Sequence, residues 1–331
     1  MSTAFHIHQN DFNAVCKNQD VIYDGVYLFT NQRGLHKRAL MMPPASPVSW
    51  ISLYGSLTIS QIGKENPNGG INEAGLVVEQ TTLWQSQYPA VDERPALNEL
   101  HFIQYLLDTC RSVEEALIAA PTVRIDQSTS KLHYLLADRS GNHAIVEFLD
   151  GEMIVHQGKL PIPVMTNTAY AYSVREIGRG IRDWADKDEY EQNSMDRFLT
   201  IAEALHALKE QVPDNESAFE MLADARREDT VFSLVYNLDQ MELLAMTQRN
   251  QERITIRMDE FDFDYKAPGL AANLQKLQVN NPVAQFLTYS AGFNQEALTS
   301  FFRDPLLTSV FKWEISDDMI HFAANYPDSF L

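Results

Sequence analysis

Apolar residues along the chain keep two different periods, and the places where the period changes predict its elements. Gly25–Thr30, Gly55–Ser60 and Gly75–Glu79 are short, rich in β-branched and aromatic residues, and bounded by Gly, Asn or Pro, which predicts strands. From about Pro95 the spacing turns helical, with Leu97, Leu100, Ile103, Leu106 and Leu107 on one face. Ser112 followed by Glu115 carries the capping-box pattern that opens a second helix. Leu132–Ala137, Ala144–Leu149 and Glu152–His156 then follow closely, separated by the turn formers Asp138 to Gly141 and Asp150-Gly151, and predict an antiparallel meander. After a loop near Asn167, Ser194 is expected to open a helix lined by Phe198, Ile201, Ala202, Leu205 and Leu208. A further helix is expected after Asn215, then a second meander through Val231–Asn237, Met241–Thr247 and Arg253–Met258. Strands, helices, strands, helices and strands in that order predict an α+β fold with largely antiparallel sheets. From Ala267 onward Pro282, Gly292 and Pro305 break the chain into short helical pieces. Residues 2–266 are therefore expected to form one domain, and 267–331 a C-terminal helical appendage.

Composition narrows the function. The chain has 331 residues, 45% hydrophobic and 21% charged, which suits a folded globular protein with a substantial core. Lys and Arg total 26 against 45 Asp and Glu, a net charge of −19. A surface so negative repels phosphate backbones and anionic lipids, so neither nucleic acid nor membrane is an expected partner. The first residues lack the basic and apolar regions of a signal peptide, so the chain as written reads as cytoplasmic, or periplasmic if a leader has been removed. Two isolated cysteines, Cys16 and Cys110, make neither a disulfide framework nor a CxxC site.

Simple motifs add little. His6 and His8 would project from one face of a strand, but no third ligand stands at a familiar spacing, so no metal is expected. Gly69-Gly70 reads as a Gly-rich turn without the following pattern of a nucleotide loop. No cofactor is expected.

Five segments taken together are more specific: Met1-Ser-Thr-Ala-Phe5, Cys16-Lys-Asn-Gln-Asp20, Tyr54-Gly-Ser56 with Gly69 to Leu76, Met165-Thr-Asn-Thr168, and Ser194-Met-Asp-Arg-Phe198. In this order and at these separations they resemble the choloylglycine hydrolase family, the bile salt hydrolases, penicillin V acylases and related linear amide C–N hydrolases. The likeness runs over roughly residues 2 to 265, a span of domain size. It implies the four-layer αββα sandwich of N-terminal-nucleophile hydrolases, here with a C-terminal helical extension. It also implies that residue 2 becomes the chain terminus and attacks a small-molecule N-acyl substrate.

The family normally has Cys at that position; this chain has Ser2. A terminal Ser can still work, because its own α-amine, with an unperturbed pKa of about 8, can serve as base toward the hydroxyl once Met1 is gone. Lys17 stands where the family has Arg, keeping the charge and losing the planar fork. Asp20 matches the acid that holds the amine. Asn72 and Asn167 match the positions that form the oxyanion hole, where neutral donors meet charge that develops only in the transition state. Arg197 matches the site's arginine; read as lying in the first turn of a helix opened by Ser194, it breaks the dipole preference, as functional residues do. Cys16 is a rival nucleophile that would need a freed amine or a histidine partner. Phe5, Tyr23 and Trp84 are candidates for an apolar acyl pocket. The resemblance leaves open a homo-oligomer, and also an alternative in which Ser for Cys marks a weak or inactive member that acts as a binding module.

Overall fold

The computed structural model describes residues 1–127 and 129–330. The chain starts with a hairpin. Ser2–Gln9 and Phe12–Asp20 pair antiparallel with Ser2 opposite Gln19, and Asn10 takes the positive φ (55°) that the tight connection demands. Thr230–Asn237, Glu242–Thr247 and Ile254–Arg257 extend the sheet on one side, and the short strand Val164–Met165 covers Ala4 and Phe5 on the other. This is a six-stranded antiparallel sheet. A second sheet of nine strands is built around Tyr27–Asn31, Ser56–Ser60, Gly69–Asn72, Val77–Thr82, Leu132–Ala137, His143–Leu149 and Glu152–Gln157.

The sheets stack face to face because each has a second apolar face to bury. Ala4, Val15, Leu57, Ile59, Ile71, Leu135 and Ile145 belong to the buried core between and above them. On the far side of the six-stranded sheet lie helices Tyr170–Gly178, Glu189–Leu208 and Asn215–Asp224; on the far side of the nine-stranded one lie His101–Thr109 and Val113–Ala119. The layers run helix, sheet, sheet, helix. That is the αββα sandwich.

Three local expectations need correction. The helix expected to open at Ser194 starts at Glu189, capped by Asp188, whose side chain accepts from Glu191 N at 2.8 Å. Ser194 and Arg197 therefore lie inside the helix, and the dipole argument for Arg197 lapses. Gly69-Gly70 is strand, not turn. A Cβ on Gly70 would come 2.8 Å from the backbone oxygen of Leu57, and one on Gly69 would come 2.2 Å from Glu79 Oε1 and displace that carboxylate, so close packing favours glycine at both positions. Finally, the segment after Ala267 does not begin as helix. Leu270–Asn273 joins the nine-stranded sheet beside Tyr27–Asn31 before the helices Ala291–Phe302, Pro305–Phe311 and Asp317–Asn325.

Candidate active site

Strand alternation sorts the first hairpin into two faces. Ser2, Ala4, Lys17 and Gln19 point between the sheets, while Thr3, Asn18 and Asp20 point toward the helices. Ser2 is 2% exposed. Its hydroxyl donates to Met1 O at 2.5 Å and lies 3.2 Å from Gln19 Oε1, while its N–H donates to Asn167 Oδ1 at 2.9 Å. Met1 is tied to the end of the neighbouring strand: its amine donates to Asp20 O at 2.7 Å, and its carbonyl accepts from Asp20 N at 3.0 Å.

Arg197 gathers the cluster. Its Nη1 donates to Ser2 O (2.6 Å) and Thr3 Oγ1 (2.7 Å), its Nη2 to Asn167 Oδ1 (2.8 Å), and its Nε to Asn193 Oδ1 (2.9 Å) one helical turn back. Nη2 also lies 3.5 Å from Met1 Sδ, and Nη1 lies 3.9 Å from Asp20 Oδ2. Asp20 Oδ1 accepts from Thr230 Oγ1 at 2.7 Å, but Oδ2 is buried and has no hydrogen-bond donor among the described residues. Burial pushes the Asp20 carboxyl up, with Arg197 and Thr230 working against it. Burial also brings the Met1 amine down to about 6, despite the opposing pull of Asp20. The arginine, desolvated, falls to about 10. An orphaned carboxylate oxygen beside a desolvated chain terminus is costly unless it has work to do.

The structure thus brings Ser2, Asp20, Asn167 and Arg197 into one hydrogen-bonded cluster. It places two other expected residues differently. Lys17, one pair along from Ser2 on the same face, turns its Nζ away to Glu79 Oε2 (3.2 Å) and to the carbonyl of Gln80, with Tyr236 donating to the same carboxylate at 2.6 Å. Burial lowers the Lys17 ammonium and raises the Glu79 carboxyl, and their attraction offsets both. Asn72 is fully committed elsewhere. Its amide nitrogen donates to Leu107 O (2.8 Å) and Cys110 O (2.7 Å) at the end of helix His101–Thr109, and its Oδ1 accepts from Ala74 N and Leu76 N. These bonds use its polar atoms to close a hairpin and cap a helix, and none reaches the Ser2 cluster.

Cys16 is fully buried, paired with Phe5 and Val235 on the neighbouring strands, and desolvation pushes its thiol up. Phe5 is core, Tyr23 donates to Ser300 Oγ at 2.9 Å, and Trp84 is 53% exposed with its ring 6.4 Å from that of Tyr190. Gln19, Asn193 and Thr230 enter the site without having been singled out. Gln19 had a readable signal, alternation with Lys17, and Asn193 had its i, i+4 spacing to Arg197; Thr230 had none, because its strand is remote in sequence.

Behind Asn167 sits a second set of buried groups. Asn167 N donates to Ser194 Oγ (2.8 Å), and Asn167 Nδ2 to Thr82 O (2.8 Å). Ser194 Oγ also lies 3.0 Å from Thr166 Oγ1 and 3.1 Å from Thr168 Oγ1. Ser194 in mid-helix is therefore the peg on which the loop hangs.

The family model for acyl-coenzyme A:6-aminopenicillanic acid acyl-transferase matches residues 16–258, well over half of the chain. The chain belongs to this family. Its match begins after Ser2 and takes in Lys17, Asp20, Asn72, Asn167 and Arg197. The penicillin V acylase of Pectobacterium atrosepticum is 31% identical over 137 residues, 37% of this chain and 36% of that protein, so the match spans about a third of the relative's length. Among solved structures, penicillin V acylase from Agrobacterium tumefaciens superposes with a TM-score of 0.72 at 22% identity, covering 88% of this chain and 98% of that one. A mutant conjugated bile acid hydrolase from Clostridium perfringens gives 0.68 at 16% identity, covering 84% and 98%. These likenesses show that the chain shares the αββα fold of the penicillin V acylase and the bile acid hydrolase, in agreement with the five-segment resemblance.

Proposed function

We propose that the chain hydrolyses a linear carbon–nitrogen amide bond of a small N-acyl substrate, with Ser2 as nucleophile once Met1 has been removed. One observation carries this reading: Asn167 and Arg197, from two remote parts of the chain, bond to the backbone of residue 2, while Asp20 bonds to Met1 beside it and lies 3.9 Å from Arg197. A buried serine in a structural role needs no such escort. Removal of Met1 turns the Ser2 nitrogen into a free amine at a place where burial already disfavours the ammonium form. That amine takes the hydroxyl proton as Oγ attacks the acyl carbon. Asn167 Oδ1 holds the amine, Asp20 Oδ2 gains a donor, and Arg197 fixes both. Collapse of the tetrahedral intermediate passes the proton to the leaving nitrogen; water then cleaves the acyl-Ser2 ester and restores the enzyme. Asn72 and Lys17 act as scaffold in this reading.

The relatives' names point to penicillin V or a conjugated bile acid as substrate; the family resemblance adds N-acyl amines and lactones. The space Met1 vacates beside Arg197 is where the acyl group would enter. Intact mass establishes whether Met1 is absent, and amine release from an N-acyl panel measures turnover. The Met-free protein should turn over at least one member of that panel. Ser2→Ala should lower kcat by at least about a thousandfold, whereas Ser2→Cys should keep or raise it. A Met-free protein silent on the whole panel, or activity that survives Ser2→Ala, overturns the proposal.

A further inference from the structure

His133 and Glu147 lie on neighbouring strands of the nine-stranded sheet, and both side chains are completely buried. Glu147 Oε1 accepts from His133 Nδ1 at 3.0 Å and from Tyr170 N at 2.9 Å, while Oε2 lies 3.0 Å from His156 Nε2. The other ring nitrogen of His133, Nε2, faces two oxygens: Thr166 O at 3.0 Å across the gap between the sheets, and Thr81 Oγ1 at 2.5 Å on the neighbouring strand of its own sheet. The Thr81 hydroxyl in turn donates to Thr166 O.

The donor count is decisive. A carbonyl oxygen only accepts, and so does an ionised carboxylate. Burial pushes the Glu147 carboxyl up, but donors from His133, His156 and Tyr170 outweigh it and hold the group at about 2, so it is ionised. Thr81 has a single proton, directed at Thr166 O. A bare Nε2 would then oppose lone pairs on both of its neighbours, an arrangement a dry site does not sustain. Every contact is satisfied only if His133 donates from both nitrogens, to Glu147 on one side and to Thr166 O and Thr81 Oγ1 on the other.

This matters because of what Thr166 precedes. Val164–Met165 is a two-residue edge strand, so Thr166 and Asn167 extend beyond the sheet's own ladder and depend on side chains to hold them. We propose that His133 and Glu147 are positioning residues for Asn167: a two-proton imidazole, anchored by a buried carboxylate on one sheet, grips the Thr166 carbonyl on the other. With Ser194 holding Asn167 N from the helix side, the grip fixes the Thr166–Asn167 peptide plane and so places the Asn167 side chain, whose Nδ2 then meets Thr82 O and whose Oδ1 meets Ser2 and Arg197. The role assigned to Asn167 rests on the proposed hydrolase reading; the clamp itself does not.

The test has two independent arms. In the full chain labelled with 15N-histidine and 15N-asparagine, both ring nitrogens of His133 should resonate as protonated, and the Asn167 side-chain amide signal should shift in Glu147→Gln. A spectrum with one bare nitrogen, or an unmoved Asn167 amide, overturns the clamp whether or not the protein turns over any amide. In the kinetic arm, Glu147→Gln and His133→Gln should lower kcat by up to about a hundredfold while KM stays within about twofold, because the nucleophile's orientation is lost and the acyl site is untouched. Equal losses in both constants, or none in either, overturn the positioning role. If the wild-type chain itself turns over nothing, the hydrolase reading fails and the spectra decide the clamp alone.

Discussion

At the scale of single residues, burial sets the character of nearly every charged group at the site. Glu147 illustrates how a buried carboxylate becomes a stabilising one. Desolvation alone would raise its pKa, yet three donors bring it from 4.5 to about 2. A folded pKa below the unfolded one contributes stability that is fully present above about pH 4.5 and is lost as pH falls toward 2. The shift corresponds to about 3 kcal/mol at neutral pH. Chemical denaturation followed from pH 7 down to 2 should therefore show wild type losing about that much relative to Glu147→Gln, whose curve lacks this component. Parallel curves for the two proteins would show that the donors do not favour the charged form. Asp20 is the opposite case: burial raises its pKa, and Oδ2 has no hydrogen-bond donor among the described residues. Holding it ionised costs stability.

At the scale of elements, glycine and serine do work that hydrophobic pattern does not announce. Strand Gly69–Asn72 passes so close to Glu79 that a Cβ at residue 69 would have to displace the Glu79 carboxylate. Gly69→Ala should destabilise the protein by about 1–3 kcal/mol through overpacking and should loosen the Lys17–Glu79 pair, read as a lower midpoint in thermal denaturation. An unchanged midpoint would mean that the Glu79 carboxylate can move aside freely. Ser194 likewise sits mid-helix, where its hydroxyl serves the loop 166–168 instead of a helix start. Ser194→Ala leaves Asn167 N without its acceptor, a cost of about 1–3 kcal/mol, and should reduce turnover as well as thermal midpoint. Retained turnover would show that His133 and Thr82 suffice to hold Asn167.

At the scale of the whole molecule, the two sheets divide the site between them. The hairpin and the Asn167 loop belong to the six-stranded sheet; Thr82, His133 and Glu147 reach across from the nine-stranded one. Residues after 266 complete the second sheet: Leu270–Asn273 covers the edge of Tyr27–Asn31, and Asn294 Oδ1 accepts from Lys64 N at 2.8 Å. A chain ending at residue 266 exposes that edge and should lose soluble yield or aggregate on gentle heating, as checked by size-exclusion chromatography. A soluble monomer of unchanged stability would make residues 267–331 a dispensable appendage after all.

Period and turn chemistry were enough to find the meanders, because side chains there alternate between core and helix layer and the turns are made locally. Ser2, Asp20, Asn167 and Arg197, which the family resemblance picked out, meet in one cluster with Met1. What sequence could not give was direction. Nothing local distinguishes Asn167, which faces the terminus, from Asn72, which closes a hairpin, or a site cation from Lys17, which turns to Glu79. Those choices depend on which remote carbonyls and carboxylates lie within 3 Å after the sheets have stacked. The sequence alone determined what each strand could bury; only the stacked structure decided which buried polar groups would meet, because a hydrogen bond is satisfied across space and not along the chain.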